Sequence, residues 1–315
     1  MIAWLINLAA PSTSISIING RLDLATYFLN DPTLREKIVS LLGRTFDSQR
    51  LVQKFSLGRG DPDDLVSLCK TIQVTEHIAA TLTEDRVQRK RWQARISNAI
   101  SLTPGPSGEC IDAICGRFHL DGPRTLADRI TESIDEDGLS RTHERDQVEA
   151  AGVMSLAQAV AVRDDGDQGL SALPKKATRV KSVATLDSAK SRYWEDEDVW
   201  VMKKNASESL SRLHDQLEGL RTKKSELETA LQEKYAASSL TLRWTPGLGH
   251  ICHVKGKDTK SDWANRGNAK SVSASKSTRS LHLPEWTRLG ASIDHVRLQV
   301  KSEEQQVFRQ LRDEV

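Results

Sequence analysis

The chain carries 315 residues, 38% of them hydrophobic, 28% charged and 5% aromatic, with a formal net charge of +2. That is enough apolar material for a sizeable core, yet the high charge and low aromatic content fit an elongated, mainly helical protein better than one compact sphere. No apolar run reaches the roughly 18 residues of a membrane span, so no transmembrane helix is expected, and four cysteines without a pairable spacing argue for a reducing, intracellular compartment.

The opening Met1 to Ala10 is apolar but has no basic leader, and reads as part of a helix bearing Trp4 and Leu5 and not as a secretory signal. Pro11-Ser12-Thr13-Ser14 leads into a helix over Ile15 to Leu29, with Ile18, Leu22, Ala25 and Leu29 on its inner face. Asp31-Pro32 caps a second helix that turns Leu34, Ile38, Leu41 and Leu42 inward. A third contains Asp47, Arg50, Leu51 and Lys54, where Asp47 and Arg50 read as an ion pair on the helix. Ser56-Leu57-Gly58-Arg59-Gly60 has the look of a phosphate loop, but the Gly-x-x-x-x-Gly-Lys-Ser/Thr arrangement occurs neither here nor elsewhere in the chain. Asp61 to Asp64 begins a longer helix that buries Leu68, Ile72, Ile78 and Leu82.

The middle is less regular. Thr103-Pro104-Gly105-Pro106-Ser107-Gly108 and Leu120-Asp121-Gly122-Pro123 are breaks. Cys110, Cys115 and His119 lack a second ligand pair, so no zinc is expected. Asp135-Glu136-Asp137 with Arg141, Glu144, Arg145 and Asp146 reads as a solvated helix face, without the apolar surroundings that would separate paired carboxylates into acid and base. Arg163 to Lys190, rich in Asp, Gly, Ser and Lys, has the composition of a disordered insertion.

Two heptad arms follow. Leu210, Leu213, Leu217, Leu220, Leu227 and Leu231 fall on a and d positions, broken at Lys224. Leu289, Ile293, Val296, Val300, Val307 and Leu311 form a second seam, broken at Glu303-Glu304. Each arm spans roughly 40 Å as a helix and needs a partner, the nearest being the other arm, antiparallel.

Between the arms the apolar period changes from 3.6 to 2. Ser238 to Arg243 and His250 to Lys255 alternate about the turn Pro246-Gly247-Leu248-Gly249, which predicts a β-hairpin, with a third strand at Arg279 to Leu283 and a loop at Ser271 to Ser277 that orders on contact. From Leu240 to Leu289 nine basic residues face three acidic ones, whereas the rest of the chain is net acidic. Such lopsided charge points to a polyanion, because neutralised phosphates release counterions whatever the base sequence. The candidate contacts are Arg243, Lys255, Lys257, Lys260, Arg266, Lys270, Lys276 and Arg279. An enzymatic site of His250, Cys252 and His253 lacks a metal set or an oriented base, and alternation puts His253 on the face opposite the other two.

In order along the chain, Trp4-Leu5, Pro11, Ile18-Asn19-Gly20-Arg21-Leu22-Asp23, Leu34-Arg35, Asp47-x-x-Arg50-Leu51 and Asp61-Pro62-Asp63-Asp64-Leu65-x-x-Leu68 resemble the helical core, or lever, of MutS-type DNA mismatch-repair proteins. Ser239-Leu240-Thr241-Leu242, Gly249 to Val254 and Ser277 to Gly290 resemble their clamp. The resemblance covers most of the chain outside Thr83 to Arg192 and is nearest in character to the fungal mitochondrial branch of the family. It implies a mainly α fold: core or lever at 1–102, an irregular and partly disordered insertion at 103–198, the outgoing arm at 199–238, a β-rich clamp at 239–289 and the returning arm at 290–315.

Departures from the pattern restrict what the resemblance implies. None of Phe28, Phe46, Phe55, Phe118 or Phe308 starts the Phe-x-Glu motif with which the family reads a mismatch, the upstream Thr-x-x-Gly-x-Arg helix is missing, and no ATPase motif is present. The chain therefore reads as a central fragment, not an enzyme by itself, with no cofactor of its own; ATP and Mg belong to intact family members. Its expected partners are duplex DNA and a MutS-like subunit or second copy, with no membrane, in mitochondria or nucleus. The alternative is a coiled-coil interaction scaffold with an incidental basic tip.

Overall fold

The computed structural model describes residues 13–96, 108–165, 198–245, 247–260, 270–275 and 277–315, with backbone only at 96, 156–165, 259 and 260. The features expected at Trp4-Leu5, at Pro11, at 103–107 and at 166–190 lie outside these residues. The chain divides into two compact units, Met1–Thr131 with Leu311–Val315, and Glu132–Gln310.

The first unit is helical. Helices α1 (Ile15–Leu29), α2 (Pro32–Leu42), α3 (Ser48–Ser56), α4 (Pro62–Ile96) and α5 (Glu109–Cys115) precede α6 (Asp121–Ser133), which ends at the boundary between the units. The starts of α2, α3 and α4 follow from aspartates whose side chains satisfy free backbone N–H groups. Asp31 accepts from the Leu34 N–H at 2.9 Å. At the head of α4, Asp61 accepts from the Asp64 N–H at 2.8 Å and Asp64 accepts from the Asp61 N–H at 3.2 Å, a reciprocal capping box. Asp47, expected in an ion pair with Arg50, instead caps α3 by accepting the Arg50 backbone N–H at 3.1 Å.

One core joins Tyr27, Leu34, Ile38, Val74, Ile78, Leu82 and Ile111. Two inward-facing expectations change here. Ile18, Leu22 and Leu29 are exposed, and Tyr27, with Leu24 and Phe28 beside it, is what α1 turns inward. The reason is polar: the Tyr27 hydroxyl donates to Asp85 and the Arg89 guanidinium lies 4.6 Å over the ring, so α4 selects the face of α1. Likewise Leu42 is exposed while Leu41 packs on the core.

Residues 103–198 were expected to be irregular, yet α5, α6 and α7 (Glu136–Asp165) occupy most of the described part. A buried arginine accounts for the first of them. Arg86 on α4 grips Asp112 with two N–H···O bonds of 3.1 and 2.6 Å, and Gly108 makes room for it: with φ +63°, a Cβ there would stand 2.0 Å from Arg86 Nη1.

In the second unit, α8 (Glu208–Tyr235) and α9 (Pro284–Glu314) are the two arms; the last residues of α9, from 311, are grouped with the first unit. Their contacts make them antiparallel. Lys224 sits 5.8 Å over the Trp286 ring and the Ser207 hydroxyl donates to Glu303 at 3.2 Å, so a 17-residue advance from 286 to 303 matches a 17-residue retreat from 224 to 207. In this register the buried Leu217 and Leu210 lie level with the buried Ile293 and Val300. All three breaks in the seams have partners: Lys224 and Glu303 in these pairs, and Glu304 as acceptor of the Val201 and Met202 N–H groups, both at 2.8 Å. Segment 198–206 is pinned on its other side by a bridge between Ile134 and Met202.

Four antiparallel strands stand between the arms: β1 (Thr241–Thr245), β2 (Gly249–Lys255), β3 (Lys270–Ala274) and β4 (Thr278–His282), in the order β1-β2-β4-β3. The hairpin and the returning strand match expectation, the latter one residue earlier. Strand β3 falls where a loop was expected; its serines pair with β4 through a bulge at Ser271/Ser273. Among the described residues no helix is long and apolar enough to cross a membrane.

Candidate nucleic-acid interface

Directly opposed residues of antiparallel strands share a face, so the register sorts the tip into two surfaces. Leu242 pairs with Cys252 and Cys252 with Leu281; Val254 pairs with Arg279. These define an apolar face, on which Leu242, Cys252, Val254 and Leu281 are buried. Thr241 pairs with His253 and His253 with Ser280; Arg243 pairs with Ile251, Lys255 with Thr278 and Lys270 with His282, which defines the opposite, polar face.

The apolar face is turned to the arms. His250 stacks edge-on against Trp286 at 5.1 Å, and its Nε2 lies 2.8 Å from Asp294 of α9. Trp286 donates its indole N–H to the Arg243 carbonyl at 3.3 Å. On the other arm, Glu228 accepts the Leu242 N–H at 3.1 Å and the Gln232 amide donates to the Leu240 carbonyl at 2.8 Å, satisfying the outer edge of β1. Burial, with Glu228 adding to it, pushes the Cys252 thiol up to about 12, so it is inert as a nucleophile. A chain of charges continues down the arms: Arg297 lies 3.8 Å from Asp294, and Arg297 and Arg221 both hold Asp198, at 2.9 and 2.7 Å.

The polar face collects the cations. It brings together Arg243, Lys255 and Lys270, and Lys257 follows in the 3-10 turn Gly256–Lys260 that continues from Lys255. From β1 to β3 this face is three strand spacings wide, about 14 Å. Arg279 is separated from the set: it lies on the apolar face opposite Val254, with its Nε buried. Arg266, Lys276 and the side chain of Lys260 lie outside the described residues. Asp258 of the same 3-10 turn accepts from the Ser239 N–H at 3.1 Å and its hydroxyl at 2.7 Å, bonds that hold its carboxyl below the usual range, so it stays charged at the end of the cation row.

Three further polar-face residues were absent from the sequence-derived set: His253, Ser280 and His282. Strand parity with Lys255 is the signal for His253. The other two needed the β2–β4 pairing, which joins strands that are not neighbours in sequence.

Ser56–Gly60, the loop with the look of a phosphate loop, runs into a helix start where Asp61 and Asp64 each accept the other's backbone N–H, and carboxylates repel phosphate. Among the described residues no three His, Cys, Asp or Glu side chains converge as metal ligands.

The MutS domain III family matches the chain over residues 6–315. The chain belongs to this family. Bacterial DNA mismatch repair proteins MutS share shorter segments: 40% identity over 77 residues with that of Rhodopseudomonas palustris strain BisB5, 34% over 90 residues with strain BisB18, and 35% over 69 residues with that of Desulfitobacterium hafniense. These segments cover 24, 29 and 22% of this chain, and only 8, 10 and 8% of the relatives' length. The helical body, the antiparallel arms and the sheet between them are thus a MutS domain III.

Proposed function

We propose that this MutS domain III grips the phosphate backbone of duplex DNA through the polar face of its sheet, without reading bases, and that the arms tie the grip to the helical body. One observation carries the reading: Arg243, Lys255 and Lys270 converge on a single face, while the opposite face is buried against the arms. Side chains that contact phosphates supply position and affinity but no sequence information. The names of the matched relatives, DNA mismatch repair proteins, agree with it. A second MutS-like subunit, or a second copy of this chain, is the partner this role implies, in mitochondria or nucleus.

The coiled-coil scaffold reading has less support, because the leucine seam it would offer to another helix is already occupied: Leu210, Leu217 and Leu231 are buried. The test is binding of the full chain to short labelled duplexes, matched and mismatched, from low to physiological salt. Equal, weak binding that falls steeply with salt is expected. A tight, mismatch-selective complex at physiological salt would overturn the reading.

A further inference from the structure

His253 stands at the centre of the polar face, paired with Thr241 on one side and Ser280 on the other, its Nδ1 3.3 Å from the Ser280 hydroxyl. Among the described residues, the groups on its own face are neutral or cationic, and the carboxylate of Asp258, in the turn beyond Lys255, is held by Ser239. Arg243 and Thr241 face it from β1, Lys255 from its own strand, Ser280 and His282 from β4, and Lys270 lies beyond them on β3. His282 is fixed by a 3.1 Å contact between its Nδ1 and the His250 carbonyl, which can only accept, so that nitrogen carries a proton. Burial first, then Arg243 and Lys255, lower the pKa of His253, which favours the neutral ring in the free protein. A phosphate seated between those two cations would cancel their repulsion and offer an acceptor to an imidazolium N–H.

We propose that His253 takes up a proton when a backbone phosphate seats on this face, so that the grip on duplex DNA is proton-linked and tightens as pH falls. The inference rests on the DNA-binding reading above. Its sign follows from linkage: the complex holds more protons than the free partners, so affinity rises with acidity, by up to about tenfold per pH unit for one proton.

The experiment is titration of the full chain with a labelled duplex at constant ionic strength between about pH 8 and pH 6. Calorimetry in two buffers of different ionisation heat counts the protons taken up. The wild type is expected to tighten severalfold with a fractional proton uptake, H253Q to bind with little pH dependence, and H282Q to keep the wild-type profile. Parallel profiles for wild type and H253Q, or loss of the dependence in H282Q instead, would overturn the role of His253 while leaving DNA binding intact. Absence of salt-sensitive binding at every pH would overturn the underlying reading. Circular dichroism shows whether H253Q is folded; if it is not, the proton count on the wild type decides, and zero uptake sinks the proposal.

Discussion

Gly290 of the returning arm gives up its side chain to the ring of His250: a Cβ at 290 would stand 2.3 Å from His250 Nδ1. The ring cannot simply step aside, because Asp294 holds its Nε2 and Trp286 closes its edge. Sheet and arm therefore meet at a fixed angle.

Replacing Gly290 by Ala should cost about 1–3 kcal/mol, the range for overpacking a filled site. Pairing it with H250A removes the clash, so the double variant should lose less than the two single losses together. Denaturant melts of the four proteins check this; additive losses would mean the contact is not limiting.

Glu304 should behave as a buried acceptor. E304A leaves the Val201 and Met202 N–H groups unpaired and is expected to cost about 2–4 kcal/mol, since an unpaired buried donor costs on the order of 1–3. Burial raises the Glu304 pKa against the pull of those two N–H groups. A raised folded-state pKa means its stabilising contribution is full below the unfolded value and declines as pH rises through the folded one. E304Q keeps an acceptor without titrating, so melts across the acid range should show near-native stability with that decline removed.

Asp112 has the opposite sign. Its bonds to Arg86 pull its carboxyl down to about 2, from an unperturbed 3.8. Its contribution is present above the unfolded value and is lost as pH falls towards about 2. D112N should flatten that loss. At neutral pH it should cost about 1–2 kcal/mol, less than a fully buried pair, because the Asp112 side chain is 42% exposed.

The split of the basic residues is open to a direct test. R243Q/K255Q/K270Q should lower the slope of log affinity against log salt by up to about 2.7, at 0.9 per phosphate. R279Q, on the apolar face, should leave the slope unchanged. Equal effects from the two proteins would count against a one-faced grip.

Much of the architecture was readable from periodicity. The heptad leucines of α8 and the apolar stripe of α9 marked two arms that need each other, and alternation marked the hairpin, because both patterns repeat within one element. The breaks in the seams were visible at Lys224, Glu303 and Glu304, but their partners were not. Trp286, Ser207, Val201 and Met202 lie between about 60 and 103 positions away. The inner face of α1 was misplaced for the same reason: a stripe through Ile18 and Leu22 was as regular as the one through Tyr27, and Asp85 and Arg89 on another helix decided between them.

The amino-acid sequence by itself determined that two helical arms carry a basic, strand-forming segment, since spacing and composition are local properties. Only the tertiary structure decided which cations act together. Pairing β2 with β4 sets the parity of Arg279 against Val254 and of Ser280 against His253, and a shift of one residue would exchange the faces. That register comes from burying Leu242, Cys252, Val254 and Leu281 against the arms, a gain that no segment of the sheet obtains alone.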